Sequence, residues 1–335
     1  MKFLQKICFV LALVAALSAS TSHNSKILVA AAKNGNSDNS SRPDFKVKEC
    51  REKPAQASSG SLNARVCQGA LGTGDDLHAL FVKPTIEIEL DAKQGNRKIK
   101  FHIDPNVITH AHQDFGGRSW YGVIIGDDES VLHIIHFKCI LSGVFHLDGM
   151  VYEIIMDESG ELTVIETEEV DLPPHETPDD AIPVPQEAMD EESRRNRALI
   201  RTEPPRGLQE KIIVDVLIVY TRNAECKAAG LANGCTLTDT TKAKADAKCA
   251  LAIEKNNVAY SNSGINAEFR LVHTSRVSYT EQGFSNGLNH LTNKNDGQLE
   301  EVHTMRDQYG ADIVAMFTAE GGSCGIGWVS RFFAT

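Results

Sequence analysis

The sequence predicts an antiparallel β domain followed by a mixed α/β domain with a largely parallel sheet, an α+β or α/β class. Three observations support this organisation. The 335 residues give room for about two domains. Residues 77–170 carry short alternating runs between turn residues, whereas residues 206–335 alternate apolar strands with helical patterns. Between them, residues 171–205 hold seven of the 11 prolines and are predicted to be an acidic linker.

The first 20 residues are typical of a secretory signal peptide. Lys2 and Lys6 give a positive start, residues 7–17 form an apolar run, and small residues at 18–20 suit cleavage. The apolar run is too short to span a bilayer, and we expect no transmembrane segment further on. An uncleaved membrane anchor is the alternative. The sequence therefore predicts a secreted, extracellular protein, with a polar and flexible lead-in at residues 21–76.

Seven short strands are predicted within the β domain at residues 77–170. The first, Thr85-Ile86-Glu87-Ile88-Glu89-Leu90, alternates apolar with polar residues. The others are expected at residues 98–103, 119–125, 131–137, 140–147, 151–156 and 161–166. Turn residues such as Asp148-Gly149 separate them. Short strands with tight turns indicate an antiparallel sandwich or half-barrel.

Charge is distributed unevenly. The net charge is −11, and residues 157–192 contain 14 acidic residues with no Lys or Arg. Since no basic surplus is available to neutralise phosphates, a nucleic-acid partner is excluded. The linker ends in a basic run, Arg194-Arg195-Asn196-Arg197. Such a run in exposed, extended chain suits a processing protease; the alternative is a patch that balances the acidic stretch.

The second domain, residues 206–335, begins with an apolar run at residues 212–220 that predicts a strand buried on both faces. Apolar residues at helical spacing predict a helix over 240–261, and a strand is expected at 267–279. Asp296 can cap a second helix that Gly310 ends, and another buried strand is expected at 311–317.

Seven cysteines remain after the signal peptide, and exported proteins use such residues mostly in disulfides. They are Cys50, Cys67, Cys139, Cys226, Cys235, Cys249 and Cys324. Cys226 and Cys235 flank a short loop and can pair, with Cys249 as a competitor. We favour a bond between Cys50 and Cys67, with Cys139 buried in a strand. Asn39 begins an ordinary N-glycosylation sequon.

Four segments of the second domain resemble, in order and spacing, the reprolysin-like zinc metalloproteases of the metzincin group. They are residues 214–221, 257–265, 306–314 and 324–329. Residues 120–124, 143–147 and 151–154 are similar to the pro-domain of the same family. The resemblance implies a secreted zymogen, with a zincin-like catalytic domain, a zinc cofactor, peptide or protein substrates, and processing at Arg197.

The family's active site is His-Glu-x-x-His-x-x-Gly-x-x-His, in which a helix presents two imidazoles to zinc and a glutamate activates water. No two of the 12 histidines in this sequence are four residues apart. The resemblance therefore implies an incomplete catalytic domain, and we expect no hydrolysis by these 335 residues alone. The alternative is a non-enzymatic secreted protein whose β domain binds or inhibits an intact protease.

The resemblance also assigns roles to particular residues. It implies an edge strand that pairs with extended substrate by β-augmentation, formed by Gly325, Ile326, Gly327, Trp328 and Val329. It allows a pro-domain thiol, Cys50, Cys67 or Cys139, to block the zinc as an alternative to the structural roles above. It further implies that the partner of Cys324 would lie beyond Thr335.

Overall fold

The computed structural model describes residues 26–30, 45–52, 65–71, 80–90, 97–104, 117–156, 162–168, 181–183, 211–319 and 325–329. The predicted signal peptide, Asn39, the basic run at 194–197 and Cys324 lie outside them. None of the helices in the described ranges is long and apolar enough to cross a membrane.

Ten strands form one sheet in the first part of the chain. They are β1 (Lys26–Ala30), β2 (Phe45–Glu52), β3 (Arg65–Leu71), β4 (Thr85–Leu90), β5 (Arg97–Ile103), β6 (Arg118–Ile124), β7 (Asp127–Phe137), β8 (Ile140–Leu147), β9 (Met150–Met156) and β10 (Leu162–Glu168). Their order is β1-β10-β9-β8-β7-β6-β5-β4-β2-β3, antiparallel except for the pair β2–β4. Because β1 and β3 also lie side by side, the sheet curls into a half-barrel.

The interior of the half-barrel is filled by side chains from alternate positions of its own strands. Trp120, Phe101 and Phe145 are fully buried there, and the rings of Phe101 and Phe145 meet edge to face at 6.1 Å. Gly122 makes the packing possible, since a Cβ at this position would lie 2.3 Å from the Trp120 ring and 2.5 Å from a backbone oxygen of β5. The predicted antiparallel β domain is confirmed, with its strands within a few residues of their expected bounds.

The sheet begins earlier in the chain than the sequence analysis places it. Strands β1, β2 and β3 come from residues 26–71, which the analysis assigns to a flexible lead-in. The physical reason is visible in β2, where Phe45 is buried in the core at 1% exposure and alternates with lysines. The alternation is present, but the charged residues and the short strands hide it.

The second part of the chain contains a three-stranded parallel sheet of order β13-β12-β14 with four helices. Its elements are β12 (Ile212–Tyr220), α1 (Arg222–Ala228), α2 (Asp239–Asn262), β13 (Ala267–Arg276), α3 (Phe284–Thr292), α4 (Glu300–Tyr309) and β14 (Ile313–Phe317). Two short strands, β11 (Ala181–Pro183) and β15 (Gly327–Val329), form a separate two-stranded sheet.

Local sequence explains most of these boundaries. Thr238 caps α2, because its hydroxyl accepts a hydrogen bond from the Thr241 amide at 3.1 Å while Thr241 caps back in return. Gly310 ends α4 in the left-handed conformation, as predicted. The prediction that Asp296 caps α4 is wrong: the helix starts at Glu300, and the Asp296 carboxylate accepts from the Gln298 amide in a turn before it.

Helix α2 lies between the two sheets. One side packs on β13 and the other on β7 and β8 of the half-barrel. A single apolar cluster therefore joins the two parts, with Ile135, Phe137, Ile140 and Ile155 from the half-barrel among its members. This accounts for the near-continuous burial of β8, whose inner face fills the half-barrel while its outer face meets α2.

Candidate functional site

The carboxyl-terminal ends of β12 and β14 are the part of the parallel sheet where polar side chains converge. Open parallel sheets bind ligands at this edge. Thr221 follows β12 directly and caps α1, since its hydroxyl accepts a hydrogen bond from the Ala224 amide at 3.1 Å. The Thr221 hydroxyl also donates to the Glu281 carboxylate, which accepts from the Ala319 amide at 2.9 Å. These contacts hold the chain that leaves β14.

A second polar cluster at this edge surrounds Glu225, which is completely buried. Its carboxylate accepts a hydrogen bond from the Thr241 hydroxyl at 2.6 Å and lies 3.0 Å from a guanidinium nitrogen of Arg276. Buried carboxylates are retained only where such partners compensate the lost hydration. Glu225 therefore links α1, α2 and the end of β13, and its role here is structural.

A third polar cluster surrounds Asp246 on α2, a buried carboxylate with partners from three elements. It accepts from the Tyr220 hydroxyl at 2.7 Å, from Lys242 at 2.8 Å and from Lys138 of the half-barrel at 2.7 Å. Burial opposes ionisation, but the hydrogen bonds from Lys138, Lys242 and Tyr220 lower the pKa of Asp246 below its usual value. The same burial and the neighbouring carboxylate raise the pKa of Tyr220.

The predicted edge strand is only partly a strand. Gly327, Trp328 and Val329 form β15, while Gly325 and Ile326 precede it. The resemblance implies that this strand lies at the edge of the main sheet. Within the described ranges, β15 is not paired with the three-stranded sheet. It pairs in parallel with β11 from the predicted linker, matching Ala181 with Gly327. The Trp328 indole donates to the Thr292 hydroxyl at the end of α3.

This register has a physical basis. A strand of three residues outside a larger sheet leaves backbone donors and acceptors to satisfy, and β11 supplies partners for them.

The cysteines divide into three groups. The predicted bond between Cys226 and Cys235 is confirmed. Cys249 is free and buried, and burial followed by the charge of Asp246 raises its pKa, so it is an unreactive thiol. Cys139 is free and exposed in the turn between β7 and β8, and the prediction of a buried strand residue is wrong. A two-residue hairpin turn needs positive φ at both positions, which Lys138 and Cys139 adopt at 47° and 62°.

The structure does not test the remaining predicted disulfide, processing and glycosylation sites. Strands β2 and β3 are paired, and Cys67 lies in the ladder opposite the irregular stretch that contains Cys50. Their disulfide stays a prediction. Cys324, Arg194, Arg197 and Asn39 lie outside the described residues.

No group of three or more His, Cys, Asp or Glu side chains in the described ranges could hold a metal ion. The buried carboxylates already described are instead occupied by lysine, arginine and hydroxyl partners. The residues present therefore do not fit zinc, and no catalytic step is derived through it.

Sequence reasoning missed Glu225, Asp246 and their partners. A signal existed for Asp246 and Glu254, which stand four residues either side of Ala250 and therefore share its helical face. Since Ala250 was predicted to be buried, two carboxylates beside it indicate buried charges that need partners.

Comparison with known proteins places this chain beside metallopeptidases. Residues 246–335 match a family model described as metallo-peptidase family M12B, reprolysin-like. A peptidyl-Asp metalloendopeptidase of Pseudomonas aeruginosa is 33% identical over 122 residues, 35% of this chain and 18% of that protein. Another of that name, from Stenotrophomonas maltophilia, is 31% identical over 77 residues, 23% of this chain and 18% of that protein.

A third protein of that name, from Xanthomonas campestris pv. campestris, is 23% identical over 279 residues, 81% of this chain and 60% of its own length. A match of that extent must include most of the half-barrel and the start of the parallel sheet. The solved structure of metalloproteinase-II from Bacteroides fragilis aligns with 62% of this chain and 57% of its own. Its TM-score of 0.27 and 8% identity are too low to support an inference.

The chain spans less than two thirds of each of the three named relatives. The matched segments are nevertheless shared with proteins of one kind, and the family model covers most of α2 and everything after it. The C-terminal part of this chain is thus similar to metallopeptidases.

Proposed function

We propose that this chain is the pro-domain and first part of the catalytic domain of a secreted zinc metalloendopeptidase of the reprolysin-like metzincin type, made as a zymogen. In this proposal the half-barrel is the pro-domain, and processing at Arg194 or Arg197 separates it from the α/β part. The zinc ligands would be supplied by residues other than these 335, which contain no His-Glu-x-x-His motif. The chain by itself is therefore inactive.

The pairing of β11 with β15 is the observation that carries the proposal. An exposed edge strand recognises extended peptides by adding them as a further strand. Here Ala181, Ile182 and Pro183 take such a position along Gly327, Trp328 and Val329. Because β11 precedes the basic run, it belongs to the part that processing would separate. In this proposal β11 covers the peptide-binding edge until cleavage.

The substrates in this proposal are peptides or proteins. The relatives are named peptidyl-Asp metalloendopeptidases, so peptides that contain aspartate are the first substrates to assay.

Sequencing the native transcript past the codon for Thr335 is the first test. We expect the frame to continue into a His-Glu-x-x-His helix. The full product, cut at the basic run, should then hydrolyse peptides in a chelator-sensitive manner, while the 335-residue chain should not. A genuine stop after Thr335, or chelator-sensitive hydrolysis by the 335-residue chain itself, would contradict the proposal.

A synthetic peptide covering residues 177–187 tests the role of β11 separately. It should compete with substrate on the activated enzyme, whereas a scrambled peptide of the same composition should not. Equal inhibition by both peptides would remove β15 as the binding edge.

A second function has support from the interface with α2: the half-barrel acts as a non-enzymatic binder or inhibitor of an intact protease. The half-barrel contributes side chains to the apolar cluster that α2 shares with the parallel sheet, so it is shaped to fit such a domain. Stoichiometric inhibition of an intact homologue by residues 21–197 would favour this function, and no binding would exclude it.

A further inference from the structure

The outer face of strands β6 to β9 is complementary to α2 from Asp246 to the end of the helix at Asn262. Four polar contacts cross between them. Lys138 meets Asp246 at 2.7 Å, Glu153 meets Lys248 at 2.8 Å, Ser119 donates to Glu254 at 3.1 Å, and Tyr121 is hydrogen-bonded to Asn262. In the first contact the half-barrel supplies the positive group, and in the second it supplies the negative group. Each side therefore presents both a positive and a negative group.

Burial makes these contacts strong. The side chains of Glu153 and Lys248 are 12% and 16% exposed, whereas in the other pair Asp246 is 1% exposed and Lys138 40%. A charge pair shielded on both sides, such as Glu153 with Lys248, is costly to break, because separation leaves each charge without this partner until water replaces it. Exposed pairs such as Lys98 with Glu87, where the lysine side chain is 51% exposed, contribute little.

Apolar side chains fill the space between the polar contacts. Ile135, Phe137, Ile140 and Ile155 point away from the half-barrel interior, and each is less than 5% exposed. They pack in one cluster with buried residues of α2 such as Ala250 and Leu251. An apolar centre with polar groups around it is the composition of a specific protein–protein interface.

The hairpin turn between β7 and β8 places Lys138 against α2. Both Lys138 and Cys139 adopt positive φ, as a two-residue type I′ turn requires. The turn carries the Lys138 ammonium to Asp246. One oxygen of the Asp246 carboxylate thus accepts from Lys138 of the half-barrel and from Lys242 of α2.

We propose that the half-barrel and α2 form a lasting interface, and that the N-terminal fragment stays bound to the α/β part after the chain is cut between them. The partner of the α2 surface is this chain's own half-barrel, first covalently linked and then held without a covalent link. Cleavage at the basic run therefore does not release the fragment, and its departure is a separate step. This inference concerns association alone and does not depend on the proposed peptidase activity.

The test uses the full chain with residues 194–197 replaced by the recognition sequence of a highly specific protease. After complete cutting, size-exclusion chromatography with light scattering should show both fragments in one peak with the mass of the uncut chain. Separate elution of the two fragments at micromolar concentration would overturn the proposal.

Two lysine variants test the electrostatic part. Lys138→Asn removes the ammonium and keeps a residue suited to positive φ, and we expect the cut fragments to separate roughly tenfold faster or more. Lys98→Asn is the matched control, because Lys98 pairs with Glu87 within the half-barrel. Lys98→Asn should leave the rate at which the fragments separate unchanged. Equal separation rates for the two variants would contradict the role assigned to Lys138.

A charge exchange provides a rescue that a merely structural role would not give. Glu153→Lys alone should speed separation by placing like charges at Lys248. Glu153→Lys combined with Lys248→Glu should restore slow separation. If the double variant separates as fast as the single variant while the uncut proteins have the same circular dichroism as wild type, the proposed pairing is wrong.

Discussion

The half-barrel and the α/β part differ in how they obtain a core. Among the described residues, the core of the half-barrel consists of side chains from its own strands, from Phe45 to Val164, together with Leu80 just before β4. The main cluster of the α/β part instead includes four side chains of the half-barrel, and α2 has buried residues on two sides. The difference teaches that the two parts are not equivalent neighbours: one has a core of its own, and the other completes its core on the first.

Separating the two parts should give the largest effect. Residues 21–170 expressed alone should fold and unfold cooperatively, because their core is self-contained. Residues 206–335 alone should remain unfolded or aggregate, since the α2 face that meets the half-barrel would be exposed. Circular dichroism during thermal unfolding measures both. Cooperative unfolding of residues 206–335 alone would contradict the comparison.

Phe137→Ala removes an apolar anchor of the shared cluster and should cost about 3–4 kcal/mol of stability. The loss should fall on the α/β part, because Phe137 faces α2 and is 1% exposed there. The chain has two tryptophans, so in a Trp328→Phe background the buried Trp120 reports the half-barrel alone. We expect helical dichroism to be lost at lower denaturant concentration than the Trp120 emission change.

Phe101→Ala is the matched control for that experiment, because Phe101 is buried inside the half-barrel. It should lower the midpoints of both signals together, since the α/β part depends on the half-barrel. If Phe137→Ala also shifts both signals equally, the two parts unfold as one unit.

Acid should weaken the contact between the two parts through His146. Burial on the outer face of β8, followed by the charge of Lys255, lowers the pKa of His146 to about 4 from 6.5. The folded protein thus keeps His146 neutral, whereas the exposed residue takes up a proton near pH 6.5. The contribution of neutral His146 to the free energy of unfolding is fully present above pH 6.5. It is lost progressively as the pH falls towards 4, up to about 3 kcal/mol.

Denaturant unfolding at several pH values measures this effect, with His146→Gln as the comparison. The variant should lose less stability than wild type between pH 6.5 and 4, because it has no proton to take up. Identical pH profiles would show that His146 is not the group responsible, and that carboxylates such as Asp246 dominate.

The smallest expected effect concerns the start of α2. Thr238→Ala removes the side-chain acceptor for the Thr241 amide and should cost about 1 kcal/mol. Thr240→Ala, within the first turn, is the control and should be neutral or slightly stabilising because of the higher helix propensity of alanine. Equal losses in urea unfolding for the two variants would mean that the cap contributes nothing specific.

Much of the fold could be predicted from the sequence because many of its elements have a recognisable local sequence pattern. The strand Ile212–Tyr220 was expected at its observed bounds, since a long apolar run flanked by polar residues has few other interpretations. The half-barrel strands from β4 onward followed from alternation and turn residues. Helix α3, by contrast, was not predicted. Its N-cap residue is Gly283, which has no side chain to cap the helix, so the usual start signal is missing.

The candidate site was less predictable because it depends on long-range pairing. Nothing local in residues 181–183 distinguishes β11 from the rest of a proline-rich linker, and no periodicity reveals which segment an isolated strand such as β15 will take as its partner. The interface with α2 had a sequence signal that was not used. Strand β7 is apolar at Leu132, Ile134 and also Ile135, so it does not alternate as a half-exposed strand should.

The self-contained core of the half-barrel has a consequence for the order of events during translation. A chain is made from its N-terminus, and domains generally fold as units as they are completed. All of the half-barrel strands precede α2, so they can close around Trp120 before the helix leaves the ribosome. The nascent α2 then meets a folded half-barrel whose charged side chains are already in position. The direction of synthesis therefore makes the half-barrel fold first and the α/β part fold against it.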